Sequence, residues 1–153
     1  MSLLILAIEN HRDNEIDILC EKFIKRMQGN MSASLELLPA ARVKIPEEQK
    51  IKESETILKY CKPGDQLILC DERGKTFTSK EFATYIDNSL SQSRGRLIFA
   101  IGGAYGFTED LLKSNLSIRL SDFTFPHHLA RLVLCEQLYR AFTILKGTGY
   151  HHG

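Results

Sequence analysis

Several features that often mark a function are missing from this sequence, and each absence excludes something. The four cysteines (Cys20, Cys61, Cys70, Cys135) are scattered, with no C-x-x-C pair. Neither a disulfide framework nor a zinc or other metal site is expected, and reduced thiols in the cytoplasm are the better reading. No apolar run approaches the length that crosses a bilayer. The opening stretch MSLLILAIEN is too short and lacks the charged leader of a signal peptide, so it reads as a first strand. The 20 Lys and Arg are nearly matched by 19 Asp and Glu, for a net charge of +1. The molecule is therefore no polycation that would hold nucleic acid over its whole surface. Internal repeats and low-complexity segments are absent as well.

What is present is an ordinary globular composition, 43% hydrophobic and 25% charged over 153 residues. That favours one domain, 1–153, with a full core. Strand and helix patterns alternate. LLILAI (Leu3 to Ile8) and LIFAI (Leu97 to Ile101) are continuous apolar runs, the pattern of buried parallel strands. Further short strands are expected at Ser34 to Leu38, Gln66 to Cys70 and Leu116 to Leu120. Ile16, Leu19, Cys20, Phe23, Ile24 and Met27 recur at helical spacing, in a helix expected to stop at a left-handed Gly29-Asn30 cap. Pro46 opens a charged helix that ends before Pro63-Gly64. Thr78-x-x-Glu81 forms a capping box for a third helix, after a loop DERGKTF. A short helix starts at Glu109, and a long one runs from near Pro126 to about Lys146. This order predicts an α/β fold with a mostly parallel sheet.

The last helix has two apolar faces. Leu129, Leu132, Val133 and Tyr139 mark one; Leu134, Leu138, Ala141, Phe142 and Leu145 mark the other. A helix apolar nearly all round is covered on both sides. One face can pack on the sheet. The other, read as the Leu138 face, is expected to meet the same helix of a second subunit in a two-fold dimer; burial by the rest of the chain is the alternative. Charge is also uneven. Residues 94–153 hold 7 Lys and Arg against 4 Asp and Glu, and four of the five histidines. Either chance or a locally basic face for an anionic partner accounts for that.

Three loops follow strands: Cys70 to Gly74, Gly102 to Gly106, and Ser121 to His127. The middle one, within IGGAYGFTED, has neither the Gly-Lys-Ser/Thr ending of a P-loop nor the early position of a dinucleotide fingerprint. Ligands of open α/β sheets bind beyond the carboxyl ends of strands, so the three loops converging would make one pocket.

With IGGAYG, TFPHHLARLVLCEQLYRA and the terminal Tyr-His in view, the chain resembles the SPOUT-class methyltransferases of the ribosomal RNA large subunit methyltransferase H family, from the first strand to the C-terminus. The resemblance implies a single SPOUT-like domain, an α/β sheet with helices on both faces and a C-terminal trefoil knot, and a homodimer. It implies S-adenosylmethionine as methyl donor and the N3 of a pseudouridine in 23S ribosomal RNA as acceptor, on the ribosome in the cytoplasm. It places cofactor contacts, largely through backbone, at Cys70, Asp71, Gly102, Gly103 and Gly106 and at Leu120, Ser121, Asp122, Phe123, Thr124 and Phe125. Two departures stand out. Cys70 occupies a position that is commonly leucine, and His152-Gly153 replaces an Arg-acid ending.

The N3 imide nitrogen carries a proton and is a poor nucleophile until it loses it. A base or cationic donors must therefore act there. His151 and His152 are the candidates for the first role and Arg140 for the second, with Tyr150 and His151 as substrate contacts. Arg140 is equally suited to pairing with Glu136 one turn away. His127-His128 reads as the end of the cofactor loop, and Tyr105 as either a surface aromatic or a base-stacking ring. A dimeric, non-catalytic RNA- or ribosome-binding module with the same fold is the alternative function.

Overall fold

The computed structural model describes residues 2–29 and 31–153. In chain order its elements are β1 (Ser2–Ile8), α1 (Asn14–Met27), β2 (Ser32–Leu38), α2 (Pro46–Tyr60), β3 (Gln66–Lys75), α3 (Ser79–Gln92), β4 (Leu97–Ile101), α4 (Glu109–Ser114), β5 (Leu116–Ile118) and α5 (His127–Lys146). The strands form one sheet in the order β2-β1-β4-β3-β5, and every pairing is parallel. The continuous apolar runs are β1 and β4, side by side in the middle, where both faces of a strand are covered.

Alternation along β1 divides the core. Leu3, Ile5 and Ala7 join Cys20 of α1, Phe82 and Ile86 of α3, and Leu134 and Leu138 of α5. Leu4, Leu6 and Ile8 join Ile57 of α2 and Leu111 of α4 on the opposite face. Each such buried side chain contributes about 1.5–3 kcal/mol. Local chemistry sets the helix starts. Asp13 Oδ1 accepts from the Ile16 N–H at 3.0 Å. The capping box forms as expected: the Glu81 N–H donates to Thr78 Oγ1 at 3.2 Å and the Thr78 N–H to Glu81 Oε2 at 2.7 Å.

Several boundaries differ from those the sequence predicts, β2 already beginning at Ser32 and not Ser34. β3 continues through DERGK to Lys75, with a register break against β5 between Cys70 and Lys75. β5 stops at Ile118, after which the Arg119 N–H donates to the Lys75 carbonyl at 2.9 Å. α1 ends at Gln28 in right-handed geometry, and the left-handed glycines are Gly64, Gly106, Gly147 and Gly149, not Gly29; Asn30 lies outside the described residues.

α5 also corrects an expectation. Leu134, Leu138, Ala141 and Phe142 are buried on the sheet of their own chain, so Leu138 is core and no subunit seam. Leu129, Leu132 and Val133 remain half-buried. Among the core residues of α5 stands Arg131, fully buried. Its Nη2 lies 2.7 Å from Asp17 Oδ1 and its Nη1 3.7 Å from Glu9 Oε2, which ties the last helix to the first helix and first strand.

A second, half-buried pair, Asp65 with Arg96, closes the opposite end of the sheet. Desolvation pushes the Asp65 carboxyl upward, but hydrogen bonds from the Arg96 side chain and from the Arg96 and Lys62 backbone hold it down at about 2. Its folded pKa is thus below the unfolded value near 3.9. The stability it contributes is full above about pH 4 and is lost as pH falls toward 2. Asp65→Ala should cost about 1–3 kcal/mol in urea unfolding at pH 7, because the partly exposed Arg96 loses its partner. The gap to the parent protein should close across that acid window.

Candidate functional site

Because all five strands run the same way, their carboxyl ends share one edge. There the chain leaves a cavity of about 740 Å³. Three stretches wall it, 70–73, 101–107 and 119–125, together with His127 and Ala130 of α5. Cys70, Asp71, Gly102, Gly103 and Gly106 and the whole run Leu120 to Phe125 lie in that wall. The three loops read from the sequence therefore do converge.

The middle loop is a tight turn. The Gly106 N–H donates to the Gly103 carbonyl at 3.1 Å. Gly106 has φ +74°, a conformation costly for any residue with a Cβ. Gly103 is required for another reason. A Cβ there would stand 2.3 Å from Glu53 Oε1 of α2. The missing Cβ of Gly102 would face Gly106 and Phe107 at 3.3 Å, so its absence lets the turn fold closely on itself. From α2 as well, Ser54 Oγ accepts from the Thr108 N–H at 3.2 Å. The loop is thus clamped from beneath by α2, and its backbone is presented to the cavity.

The charged groups of the wall are largely paired among themselves. Asp71 Oδ1 accepts from Arg73 Nε at 3.0 Å, and Arg73 Nη1 reaches Glu109 at 2.9 Å. Arg119 Nη2 lies 3.1 Å from Asp122. Burial pushes the Cys70 thiol up to about 12, with the Asp71 carboxylate adding to the effect. Cys70 therefore stays protonated and offers a small apolar surface, not a nucleophile. Tyr105 and Phe123 are exposed at the rim, Phe123 by 82%, and both line the cavity.

The residues proposed for proton chemistry lie elsewhere. Arg140, Tyr150, His151 and His152 are absent from the cavity wall. Arg140 and Tyr150 meet at Glu136 of α5, and His151 joins them through Arg140, while His152 makes no hydrogen bond with this cluster. Glu136 Oε1 accepts from Arg140 Nη2 at 2.7 Å and from the Tyr150 hydroxyl at 3.1 Å, and Oε2 accepts from Gln137 at 2.7 Å. Arg140 stands over the Tyr150 ring at 5.0 Å. Tyr139 meets the same ring edge-on at 4.9 Å. Burial first, then the Glu136 carboxylate, raise the Tyr150 hydroxyl above its ordinary range, so it remains a donor. Arg140 Nη1 lies 3.1 Å from His151 Nδ1. A guanidinium only donates, so that ring nitrogen accepts. Base chemistry at Nδ1 requires release from Arg140. His152 is exposed, and the left-handed Gly147 and Gly149 precede the tail.

Glu136 had a visible signal, its spacing of four from Arg140. Glu53 had none, being one acid in a charged helix. Among the described residues, no three His, Cys, Asp or Glu side chains gather as metal ligands would, and no helix is long and apolar enough to cross a membrane.

Comparison with known proteins adds a family. Residues 1–151 match the model of the family described as "Predicted SPOUT methyltransferase". The ribosomal RNA large subunit methyltransferase H of Flavobacterium psychrophilum is 40% identical over 156 residues, covering 99% of each chain. That of Parabacteroides distasonis is 49% identical over 106 residues, covering 69% of this chain and 68% of the relative. The crystal structure of a "probable rRNA-methyltransferase" from Porphyromonas gingivalis superposes with a TM-score of 0.55 at 12% identity, over 94% of this chain and 69% of that one.

Proposed function

The chain belongs to the SPOUT methyltransferase family, and on that premise we propose that it transfers a methyl group from S-adenosylmethionine to N3 of a pseudouridine in 23S ribosomal RNA. The observation that carries this reading is the cavity walled by three backbone-rich loops. Its volume of about 740 Å³ is in the range that encloses small cofactors. Its glycine turn exposes main-chain N–H and C=O groups, which suit an adenine edge, while Cys70, Leu120 and Phe125 offer apolar contact. The residues present thus fit an adenosyl sulfonium ligand. When bound, that group supplies an activated methyl. Residues 70–71, 102–106 and 120–125 would hold it.

The protein's own task is to orient the acceptor nitrogen and to manage its proton. Within one chain the Glu136 cluster and the cavity are separate. We take the tail to act across a two-fold dimer, with His151 or His152 receiving the imide proton, Arg140 stabilising the anion and Tyr150 contacting the base. The half-buried Leu129, Leu132 and Val133 of α5 are the proposed seam. The run Leu120 to Phe125 belongs to the proposed trefoil knot. The site of action is the cytoplasm, where ribosomes are.

Incubation with ribosomes from cells lacking the protein, using methyl-labelled cofactor, tests this. Label should appear in N3-methylpseudouridine after digestion of the large-subunit RNA. Ribosome binding without any label in the RNA would favour the non-catalytic module instead.

A further inference from the structure

We infer that Glu53 is the counter-charge for a cationic ligand in the cavity, and that it makes the site prefer the sulfonium cofactor over its neutral thioether product. The inference rests on the methyltransferase reading above and assigns to α2 a part in it.

Glu53 is 1% exposed. Its Oε2 accepts from the Ala41 N–H at 3.0 Å and from Gln49 Nε2 at 3.3 Å. Its Oε1 has no hydrogen-bond partner. Both donors are neutral, and no Lys, Arg or His among the described residues pairs with this carboxylate. A buried carboxylate without a cation is costly and asks for an explanation. The unpartnered oxygen is aimed at Gly103, where a Cβ would stand 2.3 Å away. Gly103 is itself part of the cavity wall. The negative potential therefore falls on the cavity across a backbone that carries no side chain.

The other acids near the cavity are spent or screened. Asp71 is engaged by Arg73, Asp122 by Arg119, and Glu72 is exposed to solvent. Paired in this way, Arg73 and Arg119 leave the wall with little free charge of either sign. Glu53 acts through a desolvated path, where attraction is screened least. Methyl transfer then removes the reason for that attraction. The carbon–sulfur bond breaks with its electron pair left on sulfur, the carbon–nitrogen bond forms, and the nitrogen's proton passes to a base. The ligand in the cavity has become neutral. Glu53 thus favours loading of the cofactor and does nothing to retain the product. It stabilises the charged ground state at least as much as a transition state in which that charge is dispersing, so its removal raises KM and does not lower kcat.

The test is calorimetric titration of the full chain and of Glu53→Gln with S-adenosylmethionine and, separately, S-adenosylhomocysteine. Glu53→Gln keeps the shape and removes the charge. Affinity for the sulfonium should fall about tenfold while affinity for the thioether changes less than about twofold. In ribosome methylation, KM for the cofactor should rise with no fall in kcat. Equal losses for both ligands would show that Glu53 only shapes the Gly103 turn and would overturn the proposal, as would no loss at all. Glu53→Asp, with the charge one methylene farther away, should give an intermediate ratio. It also serves if the Gln variant folds poorly, an unchanged ratio there overturning the proposal. If the unaltered chain binds neither ligand, the methyltransferase reading itself falls, an outcome distinct from equal losses.

Discussion

Removal of Tyr150 to Gly153 should cut methyl transfer to ribosomal RNA by at least about a hundredfold, the low end for loss of a general base, while cofactor affinity stays within about twofold. The reason is spatial. The cavity wall contains no residue beyond Ala130, whereas the tail is held on Glu136 and Arg140. The tail's contacts with its own chain are modest: one edge-on ring pair with Tyr139, one cation over Tyr150, a hydroxyl bond to Glu136 and the Arg140–His151 bond. Their loss should cost about 1–2 kcal/mol of stability. Rate assays on ribosomes, calorimetry and thermal melting read the three quantities. A truncated chain that methylates at the parent rate would show that the tail takes no part in chemistry.

Gly106→Val should abolish measurable cofactor binding, a fall of at least about a hundredfold, in a chain that still folds. A valine at φ +74° is strained by both its chirality and its branch. A Cβ there has open space around it, its nearest neighbour being Asp71 Oδ2 at 3.9 Å. The strain is therefore relieved by moving the turn, not by unfolding the core. Circular dichroism should be unchanged and titration with S-adenosylmethionine flat. The two variants also test each other. The truncated chain keeps its cavity, and the Gly106→Val chain keeps its tail. If tail and cavity meet across a dimer, refolding the two chains together should restore activity that neither shows alone. Absence of complementation, with mixed dimers demonstrated, would confine the site to one chain.

The parts of the fold that local chemistry dictates were open to reading from the sequence. β1 and β4 are legible because a strand buried on both faces needs a continuous apolar run. α3 is legible because Thr78 and Glu81 satisfy each other's backbone at a spacing of three. The three loops were legible as a group, since parallel strands must end on one edge. The errors arose where distant partners decide. Leu138 looks like any apolar residue on a helix with two such faces, and only the sheet beneath it makes it core. Nothing near Arg131 in the sequence announces that Asp17, 114 residues earlier, will be its partner. Glu53 is one of several acids in α2 until the Gly103 turn is laid against it. The missing Cβ atoms of Gly102 and Gly103 face Phe107 and Glu53, neighbours that their place in the sequence does not reveal. Sequence shows that a glycine is needed, not which neighbour needs it.

The strand order has a consequence for how the chain is made. Among the described residues, β4 alone pairs with both β1 and β3, and it begins at residue 97. Until it has been synthesised, the β1–β2 pair and β3 are two separate pieces, each with a bare apolar edge and no means of joining. The growing polypeptide therefore carries sticky, unpaired backbone through nearly two-thirds of its translation, an interval in which intermolecular pairing competes with folding. Arrival of one five-residue strand converts those pieces into a sheet. Nascent chains arrested before Leu97 should accordingly be protease-sensitive and bound by chaperones, and their dependence on chaperones should drop once β4 has cleared the exit tunnel.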